Sequence, residues 1–336
     1  MKNLHYRLGV TMQCFRGDQF QFPNAYSLIE SPIPEPGPTE VRVRVEATGL
    51  GFVDTLLVRG LYQIKPELPY TPGGEIVGVV DAVGSAVCEF RIGQRVGAWQ
   101  IGGGLAEYTL LQAAHLIRIP YHLDAVTAAS TLLDFLTAWY ALFERGRLIT
   151  GEVLVIRGAT GGIGAAAIQL GVAAGAHVVA VVSSTEKAEE ARRLGASDVL
   201  RSEEPELRAR LRNLLPHGVA DVVFDPVCGD DMEIYFRSLG KEGRHLVLGF
   251  AGGRIPSLPA NLPLLKSASL VGVDVRYLVE TMPDKAKSAW EDFFTRLVCG
   301  RLTAPRVTCF PLHQANAAFA ALTDRSRIGK VVVVPE

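Results

Sequence analysis

The chain is 336 residues long and 48% hydrophobic, enough for two domains of ordinary size with their own cores. Its 34 Lys and Arg balance 35 Asp and Glu without gathering in a tail, so the charge points to neither nucleic acid nor an anionic membrane surface. No apolar run approaches the ~20 residues that span a bilayer, and Met1-Lys2-Asn3-Leu4-His5-Tyr6 lacks the apolar core of a signal peptide; no membrane association and a cytoplasmic location are expected. The five cysteines, Cys14, Cys88, Cys228, Cys299 and Cys309, are odd in number and form no CxxC pair. They read as free thiols in a reducing compartment rather than as a zinc knot or a disulfide framework.

Up to about residue 125 the chain consists of short β-like runs broken by Gly and Pro. Val41-Arg42-Val43-Arg44-Val45 alternates cleanly, and Ile76-Val77-Gly78-Val79-Val80, Gly93-Gln94-Arg95-Val96-Gly97-Ala98 and Glu107-Tyr108-Thr109-Leu110 follow. Residues 31–38, with four prolines, read as an extended connector. These features predict a compact, mostly antiparallel β domain. Beyond residue 126 strands alternate with helices. Strands are predicted at 153–156, 177–182, 198–200, 221–224, 245–248 and 270–275, and helices at 165–173, 186–193 (ended by Gly195) and 204–215. That alternation predicts an α/β fold with a doubly wound parallel sheet. A helix at 290–298 and a strand at 331–334 close the chain.

Between the first of these strands and its helix lies Gly158-Ala159-Thr160-Gly161-Gly162-Ile163-Gly164. Glycines at a strand-to-helix turn let the backbone approach a pyrophosphate, whose charge is met by free N–H groups at the helix N-terminus. Dinucleotide binding is therefore expected, with Thr160, Gly161, Gly162 and Ile163 at the pyrophosphate; the competing reading is a tight turn with no ligand. An NAD site carries an acidic residue at the end of the second strand. Here that strand ends in Ser183-Ser184-Thr185-Glu186-Lys187. Small hydroxyls leave room for a 2′-phosphate and an ammonium supplies its counter-charge, so NADP(H) is the expected cofactor, with Ser183 and Lys187 facing the phosphate. The alternative is a solvated Lys187 beside Glu186. Val227 after the fourth strand, and Gly249 and Phe250 after the fifth, fall at the strand ends where such sheets bind ligands.

The order and spacing of several blocks resemble the zinc-independent quinone oxidoreductases of the medium-chain dehydrogenase/reductase superfamily along nearly the whole chain. They are Pro34-Glu35-Pro36-Gly37-Pro38 followed by Glu40–Val45, Gly49-Leu50-Gly51-Phe52-Val53-Asp54, Arg59-Gly60-Leu61-Tyr62, Pro72-Gly73-Gly74-Glu75-Ile76-Val77-Gly78, the glycine loop, Ser183-Ser184-Thr185-Glu186-Lys187, Leu194-Gly195-Ala196, Gly249-Phe250-Ala251-Gly252-Gly253 and Gly329-Lys330-Val331-Val332. The resemblance implies a GroES-like catalytic domain over 1–126, completed by 278–336, and a Rossmann domain over 127–277. Zinc-dependent members carry a Cys ligand in the Gly49–Gly51 region and a His ligand in the Gly73–Glu75 block. Gly51 and Gly74 stand there and offer no side-chain ligand, so no metal is expected. Zinc-free relatives usually have Asn where this chain has Gly51.

The implied activity is NADPH-dependent hydride transfer to a quinone or α,β-unsaturated carbonyl, the cofactor supplying the reactivity. Tyr62 falls on the family's active-site tyrosine and is a candidate proton donor, with water as the alternative. Arg59 is a candidate to orient a substrate oxygen, or else to hold its own loop. Asp134, where relatives often have a neutral or basic residue, is a second candidate donor, or else caps a helix over 135–143. Thr137 matches the family and is expected near the cofactor, and Lys330 is expected to approach it or to be a surface lysine. Relatives commonly form dimers through the edge strand of the nucleotide sheet, so a homodimer is expected. An enoyl reductase of an acyl thioester or biosynthetic enone, and a non-catalytic NADPH-binding protein, remain alternatives. A short-chain dehydrogenase is rejected, because no tyrosine is followed four residues later by lysine.

Overall fold

The computed structural model describes residues 6–203 and 205–335. The chain divides into two compact units, one running to Leu133 and resuming at Met282, the other comprising Asp134–Thr281.

In the first unit β1 (Tyr6–Gly17) and β2 (Tyr26–Pro34) form an antiparallel ribbon in which Pro32 pairs with Thr11. Residues 31–34 are thus strand and not connector. A two-stranded ribbon has no central strand, so the N–H groups that proline lacks are not needed on the open side. The chain continues through β3 (Glu40–Leu50), α1 (Phe52–Leu57), β4 (Glu75–Val83), β5 (Arg95–Trp99), β6 (Tyr108–Gln112) and β7 (Ile117–Arg118). Val41, Val43 and Val45 of β3 meet Ile76, Val80, Val96 and Ala98 in one core cluster, as the alternation along β3 requires. Helix α2 (Ala125–Ala129), capped by the Asp124 carboxylate accepting from Thr127 N–H, packs on β3 and β4. That packing keeps residues 127–133 with the first unit.

Helix α3 (Leu132–Trp139) begins three residues earlier than the sequence predicts and passes into a π-helical turn over Tyr140–Arg145. The second unit then holds β8 (Val153–Arg157), α4 (Gly162–Ala173), β9 (His177–Val182), α5 (Thr185–Arg193), β10 (Asp198–Arg201), α6 (Leu207–Leu214), β11 (Ala220–Asp225), α7 (Met232–Ser238), β12 (Leu239–Val247), α8 (Asn261–Lys266), β13 (Ser269–Gly272) and α9 (Val275–Thr281). The strand order is β10-β9-β8-β11-β12-β13, every pair parallel. The order reverses between β8 and β11, which opens a crevice at their carboxyl ends. Of the predicted helix at 204–215, Glu204 lies outside the described residues. The sixth strand stops at Gly272 and not at 275, because the Asp274 carboxylate accepts from Arg276 N–H as α9 begins.

Helix α10 (Pro283–Val298), β14 (Val307–Pro311), α11 (Ala315–Thr323) and β15 (Lys330–Val334) return to the first unit. Its main sheet runs β14-β15-β3-β4-β5-β7, with β6 also on β3; all pairs are antiparallel except β14 with β15.

Candidate functional site

The glycine loop joins β8 to α4 within the second unit. Gly158 adopts φ +57°, a left-handed conformation that favours glycine. A Cβ on Gly164 would collide with the Gly158 carbonyl and lie 2.8 Å from Ala159 Cα, so the first turn of α4 packs directly on the loop. Gly161 is the N-cap of α4 and has no side chain to satisfy the helix's free N–H groups. Thr160 is buried, and Gly162 and Ile163 are the first two residues of α4. The Val227 side chain reaches Gly158, where a Cβ would meet its Cγ2 at 3.1 Å. Beside it, Ala251 and Gly252 donate to the carbonyls of Pro226 and Val227. Gly249 and Phe250 lie in that bend, with Phe250 exposed.

At the end of β9, Lys187 Nζ donates to Ser183 Oγ at 3.2 Å, and Ser184 caps α5 by accepting from Lys187 N–H. The ammonium and the hydroxyl are thereby gathered at one strand end, on the first turn of α5. Asp134 is the third residue of α3, in its first turn and not at its N-cap. The capping reading fails because the helix starts two residues before it. Its buried carboxylate lies against Gly162: a Cβ there would overlap Oδ2 and sit 2.6 Å from Cγ. Thr137, one turn on, shares its helix face and is also buried.

A buried ionic network, not anticipated from sequence, ties the two strand ends together. Arg157, last in β8, donates to both carboxylate oxygens of Asp225, last in β11, and to the Cys228 carbonyl. It also pairs with Asp231 and stacks over Tyr235 at 4.1 Å. His245 Nε2 meets Asp225 Oδ2 at 3.0 Å. Burial works to raise the Asp225 pKa, but the His245 hydrogen bond and the Arg157 charge outweigh it and hold the carboxyl below its ordinary range. Burial pushes the Cys228 thiol up to about 12 and keeps it protonated. The legible signal was a charge closing an otherwise apolar strand at Arg157.

In the first unit, Gly51 and Gly74 sit among buried charges. Asp54, in α1, accepts from Gly51 N–H at 2.8 Å and from Gly73 N–H at 3.2 Å. Burial pushes its pKa up to about 6, the backbone hydrogen bonds and Lys330 only partly offsetting this. Lys330 is 2% exposed and donates to Glu75 Oε1 at 2.5 Å, so it is not a surface lysine. Glu75 Oε2 accepts from Leu133 N–H, a free donor in the first turn of α3. A Cβ on Gly51 would have ordinary room, 3.7 Å from Glu75 Oε1 and 4.0 Å from Lys330 Nζ. One on Gly74 would collide with the Gln100 carbonyl and lie 3.3 Å from Trp99 Nε1. Asp54 and Glu75 lie in quoted sequence blocks, yet only the fold reveals their burial.

Arg59 donates to the Thr55 carbonyl and lies over the Phe22 ring, so it holds its own loop. Tyr62 is half-buried against the cluster of Phe15, Tyr26, Leu57, Val58 and Tyr70. Among the described residues, no group of three or more His, Cys, Asp or Glu is placed to hold a metal, and no helix is long and apolar enough to cross a membrane.

Residues 37–121 match the alcohol dehydrogenase GroES-like domain family, and residues 162–291 match the family described as zinc-binding dehydrogenase. The chain is 35% identical over 309 residues to quinone oxidoreductase-like protein 2 of Bos taurus, covering 91% of this chain and 88% of that one. It is 32% identical over 303 residues to a quinone oxidoreductase of Pseudomonas aeruginosa, covering 90% and 93%. The solved structure of Escherichia coli quinone oxidoreductase complexed with NADPH superposes with a TM-score of 0.90 at 25% identity, covering 96% and 100%. The chain belongs to the quinone oxidoreductase family of the medium-chain dehydrogenase/reductase superfamily.

Proposed function

We propose that this protein is an NADPH-dependent, zinc-independent oxidoreductase that transfers hydride to a quinone or an α,β-unsaturated carbonyl. The observation that carries the reading is the loop of residues 158–164, whose Gly164 lets the first turn of α4 pack directly on the loop backbone and whose N-cap of α4, Gly161, bears no side chain. Such a loop fits a pyrophosphate. Gly161, Gly162 and Ile163 would hold it through backbone N–H groups, with Thr160, Val227, Gly249 and Phe250 around it. Ser183 and Lys187 form a hydroxyl–ammonium pair suited to a 2′-phosphate. When bound, NADPH supplies the hydride.

The residues at Gly51 and Gly74 do not fit a zinc centre, since neither has a ligand atom and Gly74 has no space for one. Beside Gly51 the buried ammonium of Lys330 on Glu75 already supplies a cation of the protein's own. Reduction of a conjugated carbonyl leaves negative charge on oxygen, and a proton from Tyr62 or from water completes it. NADPH oxidation with a panel of quinones, simple enones and enoyl thioesters tests the reading. Turnover of quinones or enones supports it; turnover of enoyl thioesters alone would replace it with an enoyl reductase of acyl thioesters, and binding without turnover would make the protein a non-catalytic NADPH binder.

We also propose a homodimer formed through the outer edge of β13, where Leu270 is 46% exposed and the strand has no outer neighbour among the described residues. Sedimentation of the wild type and of Leu270→Glu should give a dimer and a monomer; two identical profiles would refute the edge as the interface.

A further inference from the structure

We propose that Asp134 sets how tightly the glycine loop holds its dinucleotide, by opposing the phosphate charge at the N-terminus of α4. This rests on the dinucleotide reading above. The carboxylate is 8% exposed and lies so close to Gly162 that a Cβ there would be 2.6 Å from Cγ and 2.9 Å from Oδ1. Gly162 is the first residue of α4, so a fixed negative charge stands at the positive end of that helix. The same end is where the pyrophosphate is expected to be met.

One helix terminus is therefore offered to two anions. With no dinucleotide bound, Asp134 complements the half-buried first turn of α4 and the helix dipole. With the dinucleotide bound, the carboxylate and the phosphates repel one another, and the burial of the carboxylate leaves that interaction poorly screened. Position 162 is also explained from the protein side: the Asp134 carboxylate occupies the volume of a β-carbon there, so any residue but glycine would displace it. Asp134 thus weakens cofactor retention, a property suited to an enzyme that must exchange oxidised for reduced cofactor at every turnover.

The test is titration of NADPH into the wild type, Asp134→Asn and Asp134→Ser at fixed ionic strength, with adenosine 2′-monophosphate as a probe that lacks the pyrophosphate. Asp134→Asn keeps the shape and removes the charge. It should bind NADPH about tenfold more tightly or better, with unchanged affinity for adenosine 2′-monophosphate. The apo-variant should also melt lower, having lost the charge at the helix end. Asp134→Ser guards against an effect peculiar to the amide. Equal or weaker NADPH binding by both variants would overturn the inference and point to a carboxylate that accepts from the ligand. No NADPH binding by the wild type would instead defeat the dinucleotide reading, and this inference with it.

Discussion

Arg157 and Asp225 close two neighbouring parallel strands with a buried two-point ion pair, Nη1 lying 3.2 Å and 2.9 Å from the two carboxylate oxygens. One residue after Arg157 the glycine loop begins, and two residues after Asp225 stands Val227, whose side chain reaches back to Gly158. The pair holds together the two loops that bound the switch-point crevice.

Removing one partner of such a pair leaves an uncompensated buried charge. Arg157→Met should cost about 3–5 kcal/mol of stability, measured by denaturant unfolding. Arg157→Lys keeps the charge but loses the planar fork over Asp225, Asp231 and Tyr235, and should fall between wild type and Arg157→Met. A Lys variant as stable as the wild type would show that charge alone suffices.

Asp54 makes stability depend on pH. Its pKa of about 6 exceeds the ordinary 3.8, so the unfolded chain ionises first as pH rises. The protonated carboxyl thus contributes stability that is full below about pH 4. That contribution is lost as pH rises through about 6 and amounts to about 2–3 kcal/mol. Melting curves between pH 4 and 7.5 should fall for the wild type more steeply than for Asp54→Asn, whatever the offset between them. Parallel curves would rule Asp54 out as the titrating group.

Lys187 should decide between the two nicotinamide cofactors. Lys187→Ala removes the ammonium beside Ser183 and should raise the KM for NADPH about tenfold or more, as expected for one lost charge-assisted hydrogen bond. The KM for NADH should change little. Equal changes for both cofactors would argue that Lys187 supports α5 and not the 2′-phosphate.

Glu75 and Lys330 form a second buried pair across β4 and β15. Lys330→Met and Glu75→Gln should each destabilise by about 3–5 kcal/mol. The double variant should cost clearly less than the sum, since neither charge is then left alone. Additive losses in thermal melts would show that the two act independently.

The alternation of Val41, Val43 and Val45, the apolar run of residues 153–156 and the glycines after it determined by themselves that the chain pairs an antiparallel β unit with a parallel α/β unit. These features are local: side-chain period and backbone freedom are properties of short segments and survive in any context. The same holds for Ser183 and Lys187, four residues apart across the start of one helix. Burial, by contrast, is set by residues far apart in the chain. Lys330 reads as equally suited to surface or cofactor until β15 pairs with β3 and its ammonium meets Glu75, 255 residues away. Asp134 reads as a proton donor or a helix cap until α3 is seen to begin at Leu132, which rules out the cap and sets the carboxylate against Gly162. Arg157 and Asp225, 68 residues apart, become one unit only because the order of the parallel strands sets β8 beside β11. Which charges are buried, and against what, follows from strand order and packing, and these only the tertiary structure decided.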